Sequence, residues 1–356
     1  MKNLPQKISL VAQTVSVLKD EIQASRWSGQ LPGEHDLCTL LHIGRVTLRG
    51  ALKQLQREGW IKTQQGRRRQ IVSRRRLRVS VVSDRVVLIT PEALEHLQPR
   101  SVLWIDGLRE HLTAAGYHLD VHLPLDCYSG RPEKALESLV QRLRPAGWVL
   151  THSTAAMQRW FGQRQIPSVI AGSRHEGVLL PSVDRDYRAI SRHAAGAFLA
   201  RGRRHPVLIS PPSALAGDRE TEEGFKEGLR GVVADAANCI IRHNGSVPDI
   251  CAKTELLLKR SQPPTAFLVA RSHHALTVMS YLMTRGLRFP KDAALISRDD
   301  DMFLTHMVPS VARYSHSAAV FARAISNVVL AVVRDGTMDC KEHRVMPKFE
   351  HGQTLG

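Results

Sequence analysis

No uninterrupted apolar run of about eighteen residues occurs in the 356-residue chain, so no membrane-spanning helix is expected. A secretory leader is missing too. Residues 1–22 have neither a continuous apolar segment nor a small-residue cleavage site, and Ile8, Val11, Val15, Leu18 and Ile22 recur at helical spacing instead. Cysteine is scarce. The five present (Cys38, Cys127, Cys239, Cys251, Cys340) are scattered, odd in number and never in CxxC spacing. That excludes a disulfide framework and a zinc site, and fits a reducing cytoplasm. Catalytic motifs are also lacking: there is no HExxH, no GxSxG and no P-loop. The pair His273-His274 has no metal-ligand spacing, and the run Asp299-Asp300-Asp301 stands at a predicted strand end. No metal, no cofactor and no membrane partner is therefore expected.

Acidic residues are the other shortage, with 33 against 50 Lys and Arg, for a formal charge of +17. The imbalance is local. Residues 1–78 carry 16 basic and 5 acidic side chains, and the remainder carries 34 and 28. A polyanion contacted by the N-terminal part explains such placement, because each neutralised phosphate releases condensed counterions. A basic surface kept for solubility would not need to be local.

What the N-terminal part contains is a helix, a turn, a second helix and a hairpin. Ile8 to about Ser25 is predicted as the first helix, Glu34–Leu41 as the second, and a third follows His42-Ile43-Gly44 and ends near Gly59. On that third helix Leu48, Leu52 and Leu55 form an apolar stripe, while Arg45, Arg49 and Lys53 recur every four residues on another face, near Gln56. A cationic, amide-bearing front on an apolar back suits the DNA major groove. Residues 60–63 and 69–72 read as short strands around Gln65-Gly66.

The stretch LPGEHDLCTLLHIGRVTLRGALKQLQREGWI resembles the winged helix-turn-helix of the GntR family over roughly sixty-five residues. The resemblance implies DNA contacts at Arg45, Thr47 and Arg49 and at the wing tip Gly66; the cationic face adds Lys53, the basic run in the wing adds Arg67 and Arg68, and His35 is a further candidate. Two positions depart from the family pattern. His35 stands where Arg is usual, and Gly44 where Ser or Thr caps the reading helix.

From Val86 onward, apolar strands alternate with helices, which predicts parallel sheets covered on both faces. About 270 residues are many for one sheet, so two lobes with a cleft are expected. The stretches 166–174, 183–210, 222–229, 263–300 and 345–349, in that order, are similar to the effector-binding domain of LacI-family repressors, itself like a periplasmic sugar-binding protein. The pairing of the two parts resembles regulators of the arabinose-repressor type. The fold expectation is multidomain: a mainly α winged helix-turn-helix at 1–73, a basic linker at 74–84, and a two-lobed α/β domain at 85–356.

Effector contacts are expected at Thr90, Arg174, Asp186, Arg219, Arg271 and Asp299; of these Asp299 fits the contacting acid of the family, while Arg271, Arg174 and Arg219 are cations that would favour an anion. The resemblance also exposes departures. Thr221 stands where the family has an Arg before its Gly-Phe pair, Arg271-Ser272 replaces Asn-Asp, and Ser297-Arg298-Asp299 replaces Gly-Phe-Asp. Because Arg pairs bidentately with carboxylate or phosphate, these changes suggest an anionic sugar derivative beside the ordinary sugar expectation. The function expected is a cytoplasmic, nucleoid-associated homodimeric repressor, not an enzyme, that binds double-stranded operator DNA and releases it to a small-molecule effector. The alternatives are a ligand-independent DNA-binding dimer with a degenerate sensor, and an enzyme domain fused to a DNA-binding one.

Overall fold

A computed structural model of the protein describes residues 9–23, 26–27, 29–57, 60–62, 69–71, 83–233, 236–336 and 338–356. The chain divides into two compact units, Met1–Ser80 and Val81–Gly356. Among the described residues no helix is long and apolar enough to cross a membrane.

In the first unit α1 (Leu10–Gln23), α2 (Glu34–Leu41) and α3 (Arg45–Arg57) surround a small core. The stripe on α3 is buried: Leu48, Ala51, Leu52 and Leu55 pack with Val15, Leu18, Leu31 and Leu37. The turn between α2 and α3 is made by His42, in the left-handed region at φ 50°, and by Gly44, whose carbonyl accepts the first α3 bond from Leu48 N at 3.1 Å. β1 (Ile61–Lys62) pairs antiparallel with β2 (Gln70–Ile71). The segment before α2 joins them, a pairing that sequence periodicity does not reveal. Leu31 N donates to Arg69 O and Ile71 N to Gly29 O, both at 2.9 Å.

The second unit has two lobes, and the chain passes between them three times. The first lobe is begun by β3 (Arg85–Ile89), α4 (Pro99–Ala114), β4 (His118–His122), α5 (Glu133–Leu143), β5 (Gly147–Thr151), α6 (Ala155–Gln163), β6 (Ser168–Ala171) and β7 (Ser182–Arg185). The second contains α7 (Tyr187–Leu199), β8 (Pro206–Ser210), α8 (Ala216–Leu229), β9 (Ile240–Arg242), α9 (Val247–Leu258), β10 (Ala266–Val269), α10 (Ser272–Thr284), β11 (Ala294–Ser297) and β12 (Ala312–Ser315). The chain then returns to the first lobe with α11 (Ala318–Asp335) and β13 (Glu342–Val345), and ends its sheet path in the second with β14 (Lys348–Glu350).

The first sheet, ordered β13-β7-β6-β5-β3-β4, is parallel throughout. The second, ordered β14-β12-β11-β10-β8-β9, is parallel except at β14. Central strands such as AFLV in β10 are buried along their whole length, as helices on both faces require. The expected βα alternation, two lobes and cleft are all present. Short strands at β7, β9, β12, β13 and β14 are additions, since three or four residues of mixed polarity carry no periodic signal.

Helix α8 begins at Ala216. It lies hard against α7 because Gly224 and Gly228 are one turn apart on the contact face. A methyl at Gly228 would stand 2.6 Å from Ala195 Cβ and 2.8 Å from the Arg192 carbonyl, and one at Gly224 would overlap the Arg188 carbonyl. Backbone cannot yield as a side chain does. Gly224→Ala should therefore lose about 1–3 kcal/mol of stability in urea denaturation despite the better helix propensity of Ala. An unchanged or raised midpoint would contradict this account of the α7–α8 contact.

Candidate functional site

Between the two lobes of the second unit lies a cavity of about 620 Å³. It opens where parallel strands end. Glu92 follows β3, His152 and Ser153 follow β5, and Ser173 follows β6; Arg271 follows β10, Arg298 and Asp299 follow β11, and His316 follows β12. Loops at the carboxyl ends of parallel strands are the usual ligand position in such sheets, because side chains from several strands converge there. Trp104 of α4 and Phe321 of α11 form an apolar wall, edge to face at 5.3 Å.

The floor is ionic. Arg298 is 2% exposed and has acids on two sides. Its Nη1 donates to Asp218 Oδ1 at 2.8 Å and to Thr221 Oγ1 at 2.7 Å, while Nε and Nη2 donate to Asp299 at 3.1 and 3.2 Å. The guanidinium also lies 4.4 Å from the Tyr187 ring centre. Arg271 Nη2 reaches the other Asp218 oxygen at 2.7 Å, and Arg185 approaches Asp299 at 3.5 Å across the lobes. A second interlobe link joins Arg100 of α4 to buried Asp300, which Arg313 also holds at 2.8 Å.

This arrangement sets the protonation of the floor. Burial by itself raises the Asp218 carboxyl, but Arg298 and Arg271 outweigh it and hold it down at about 2. Asp299 is likewise raised by burial and carried well below the ordinary carboxylate range by Arg298, Arg185 and Arg271. Burial pushes His316 down to about 3, with Arg185 and Arg100 adding to the effect. His152 and His273, both open to the cavity, are lowered by burial as well. The imidazoles are thus neutral near pH 7 and can donate or accept hydrogen bonds.

Of the six effector contacts expected from sequence, Arg271 and Asp299 line this cavity. The other four lie elsewhere. Thr90 is buried behind it, bonding the Glu92 carbonyl at 3.2 Å. Asp186 caps α7 by accepting from Ala189 N at 2.9 Å. Arg174 is turned away, donating to Cys340 O at 2.7 Å and pairing with Glu342 at 2.9 Å. Arg219 is exposed on the far side of α8. Since consecutive helical residues are about 100° apart, Asp218 and Thr221 share the inward face and Arg219 cannot. None of the three arginines singled out for an anion therefore offers the cavity an unengaged guanidinium. Sequence reasoning missed Arg298 as a contact, along with Asp218, Asp184, Glu92 and His152. The one visible signal was the charged Arg298 inside an apolar strand-end pattern. Among the described residues no three His, Cys, Asp or Glu side chains are placed to hold a metal ion.

In the first unit Arg45, Arg49 and Lys53 are exposed on one side of α3, and Thr47 is half-buried. Val46 is 88% exposed at the start of the helix, an apolar group on an otherwise polar surface. Glu34, at the first position of α2, receives Arg49 Nε at 3.0 Å and Arg69 Nη2 at 2.7 Å. Those bonds hold its carboxyl below the usual range and join α2, α3 and the start of β2 through one side chain. His35 is exposed beside it. Gly66, Arg67 and Arg68, like the basic run at 74–76, lie outside the described residues.

Residues 10–71 match the family of bacterial regulatory proteins, gntR family, and residues 195–355 match the periplasmic binding protein-like domain. The arabinose metabolism transcriptional repressor of Geobacillus stearothermophilus is 21% identical over 340 residues, covering 90% of this chain and 92% of that protein. A LacI-family regulatory protein from Chloroflexus aggregans superposes with a TM-score of 0.67 at 19% identity, over 77% of this chain and 99% of its own. The transcriptional regulator CelR in complex with cellobiose gives 0.67 at 17% identity, over 91% of this chain and all of that one (100%). At such identities the structural likeness establishes the fold.

Two outcomes follow for the ionic floor. Carboxyls whose folded pKa is depressed add stability above their unfolded pKa, and this is lost as pH falls through the folded value. The second unit should accordingly lose stability between about pH 4 and about pH 2 in denaturation curves of the whole chain. Arg298→Met would leave Asp218 and Asp299 buried with less compensation and should cost about 3–5 kcal/mol near neutral pH. A variant as stable as the parent would mean that the floor is not held by Arg298.

Proposed function

The chain joins a GntR-type winged helix-turn-helix to a LacI-type, periplasmic-binding-protein-like sensor, and on that premise we propose that it is a transcriptional repressor released from DNA by a sugar-like effector. The interlobe cavity carries this reading. It is large enough for a small polyol, walled on one side by Trp104 and Phe321, and lined by side chains from both lobes. Hydroxyl groups suit its hydrogen-bonding surface of imidazoles, serines and carboxylates. A ligand touching both lobes favours one of their relative placements, and that preference is the coupling energy, about 1–3 kcal/mol in typical cases. Arg185–Asp299 and Arg100–Asp300 are the interlobe contacts that such a change rearranges.

On the DNA side, Arg45, Arg49 and Lys53 face the major groove, with Glu34 fixing the direction of Arg49. Two copies of the chain bind the two halves of a palindromic operator, and the effector alters the spacing of the readers. His35 serves as a phosphate contact at the rim, and Gly66 to Arg68 as the wing contacts. The protein works in the cytoplasm, at the nucleoid, without chemical turnover of its effector. The division of labour places DNA reading in 1–73 and sensing in 85–356, joined by the basic stretch 74–84.

Gel shifts on an operator selected from random DNA test the reading. Arg45→Ala should cost about 1–3 kcal/mol of specific affinity while leaving non-specific binding nearly intact. An effector that releases the parent should also release whatever Arg45→Ala protein is still operator-bound. Normal operator affinity in Arg45→Ala would remove α3 as the reading helix. Turnover of the releasing compound would favour an enzyme.

A further inference from the structure

Every guanidinium that lines the interlobe cavity is already engaged by a carboxylate. Arg298 holds Asp218 and Asp299, Arg271 holds Asp218, Arg185 approaches Asp299, and Arg100 pairs with Asp300. The converse does not hold. Glu92 lines the same cavity and is exposed there, yet its carboxylate has no hydrogen bond or ion pair among the described residues. Asp184 accepts from Ser173 Oγ at 2.6 Å and from the Arg185 backbone N at 2.7 Å, both neutral donors, and has no ion pair among the described residues. Glu92 and Asp184 are thus the two cavity-lining carboxylates without an ion pair among the described residues.

His152, at the end of β5 with its backbone in the left-handed region at φ 46°, lines the same cavity, and both Glu92 and Asp184 act on it electrostatically. Burial drives Asp184 above the ordinary carboxylate range, opposed by the neighbouring Arg185. A cation against it would remove that conflict. An anionic ligand has the opposite problem. To pair with Arg271 or Arg298 it must displace Asp218 or Asp299 and leave a buried carboxylate without its partner, which is among the costliest changes a protein interior can undergo. A protonated amine needs no displacement and gains charge-assisted hydrogen bonds from groups that now lack a cation.

This inference rests on the cavity being the effector site. We infer that the effector carries a protonated amine beside its hydroxyls, as an amino sugar or other aminated polyol does, with the carboxylates of Glu92 and Asp184 as the acids that receive it. The paired arginines then form a rigid floor and do not serve as anion receptors. Trp104 and Phe321 supply the apolar wall for the ring or chain.

Matched triplets test it on the full chain at neutral pH: glucose, glucosamine and glucuronate; galactose, galactosamine and galacturonate; mannose, mannosamine and mannuronate. In thermal denaturation with titrated ligand, the amino member is expected to stabilise more than its neutral and acidic counterparts in at least one triplet. Glu92→Gln, at an exposed side chain that folding does not need, should weaken the amino member about tenfold or more, a loss near 1.4 kcal/mol, and weaken the neutral member several-fold less. Asp184→Asn should do the same. The inference is overturned if neutral sugars or uronates give the larger shift wherever a triplet responds, or if the amino preference survives both substitutions. Neutral sugars responding alone would keep the cavity as the sensor site and discard the amine. No response from any member would discard both.

Discussion

The guanidinium of Arg298 is the point on which the second unit depends. It comes from the end of β11 in the second lobe, is buried there, and is tolerated because several partners meet it at once. Asp218 takes one edge, Asp299 another, and the Tyr187 ring receives the face. Each acid is in turn shared: Asp218 with Arg271 of the same lobe, and Asp299 with Arg185 of the opposite one. Removing any member leaves a charge that neither solvent nor another side chain can satisfy. The floor therefore behaves as one object, and through Arg185 it reaches across the cleft.

The first unit uses the same device at lower stakes. Glu34 gathers Arg49 and Arg69 in a half-exposed setting, where an ion pair contributes little to stability. Its effect is directional. Arg49 projects from α3 on a long flexible stem, and a carboxylate on α2 limits where its tip can lie. The apolar core beneath, built from Leu48, Leu52 and Leu55 against α1 and α2, keeps the two helices in the register this requires.

How much was legible in the sequence differs between the units for a physical reason. The reader is local: its helices, turn and stripe are written within residues 10–71, and 3.6-residue periodicity is enough to place them. The βα alternation of the sensor was readable in the same way. Its cavity was not, because the lining comes from strand ends as far apart in sequence as those of β3 and β12, at Ile89 and Ser315. Thr221 and Arg298 illustrate the limit. The sequence displays the absence of a cation at 221 and the presence of one at 298 as two unrelated oddities. In the fold they are one: Arg298 Nη1 reaches Thr221 Oγ1 at 2.7 Å, so the charge is kept and only its origin has moved. Arg219 and Arg174 were misleading for the complementary reason. Their neighbours in sequence line the cavity, but helix phase turns one outward and the carbonyl of Cys340 draws the other away.

The three passages between lobes bear on the order in which the molecule can be completed as it is made. The first lobe is synthesised up to β7 before the second begins, but it lacks its edge strand β13 and the helix α11, whose Phe321, Ile325 and Val329 fill the core beside Trp104 and Leu108. Until residues near 345 have left the ribosome, that core is open on one side and the sheet edge at β7 is unpaired. The second lobe, by contrast, is nearly continuous from α7 to β12. A nascent chain would thus carry a finished reader early, a nearly finished second lobe next, and a first lobe that closes last. DNA binding could begin in a growing chain well before the groups that would release it have come together.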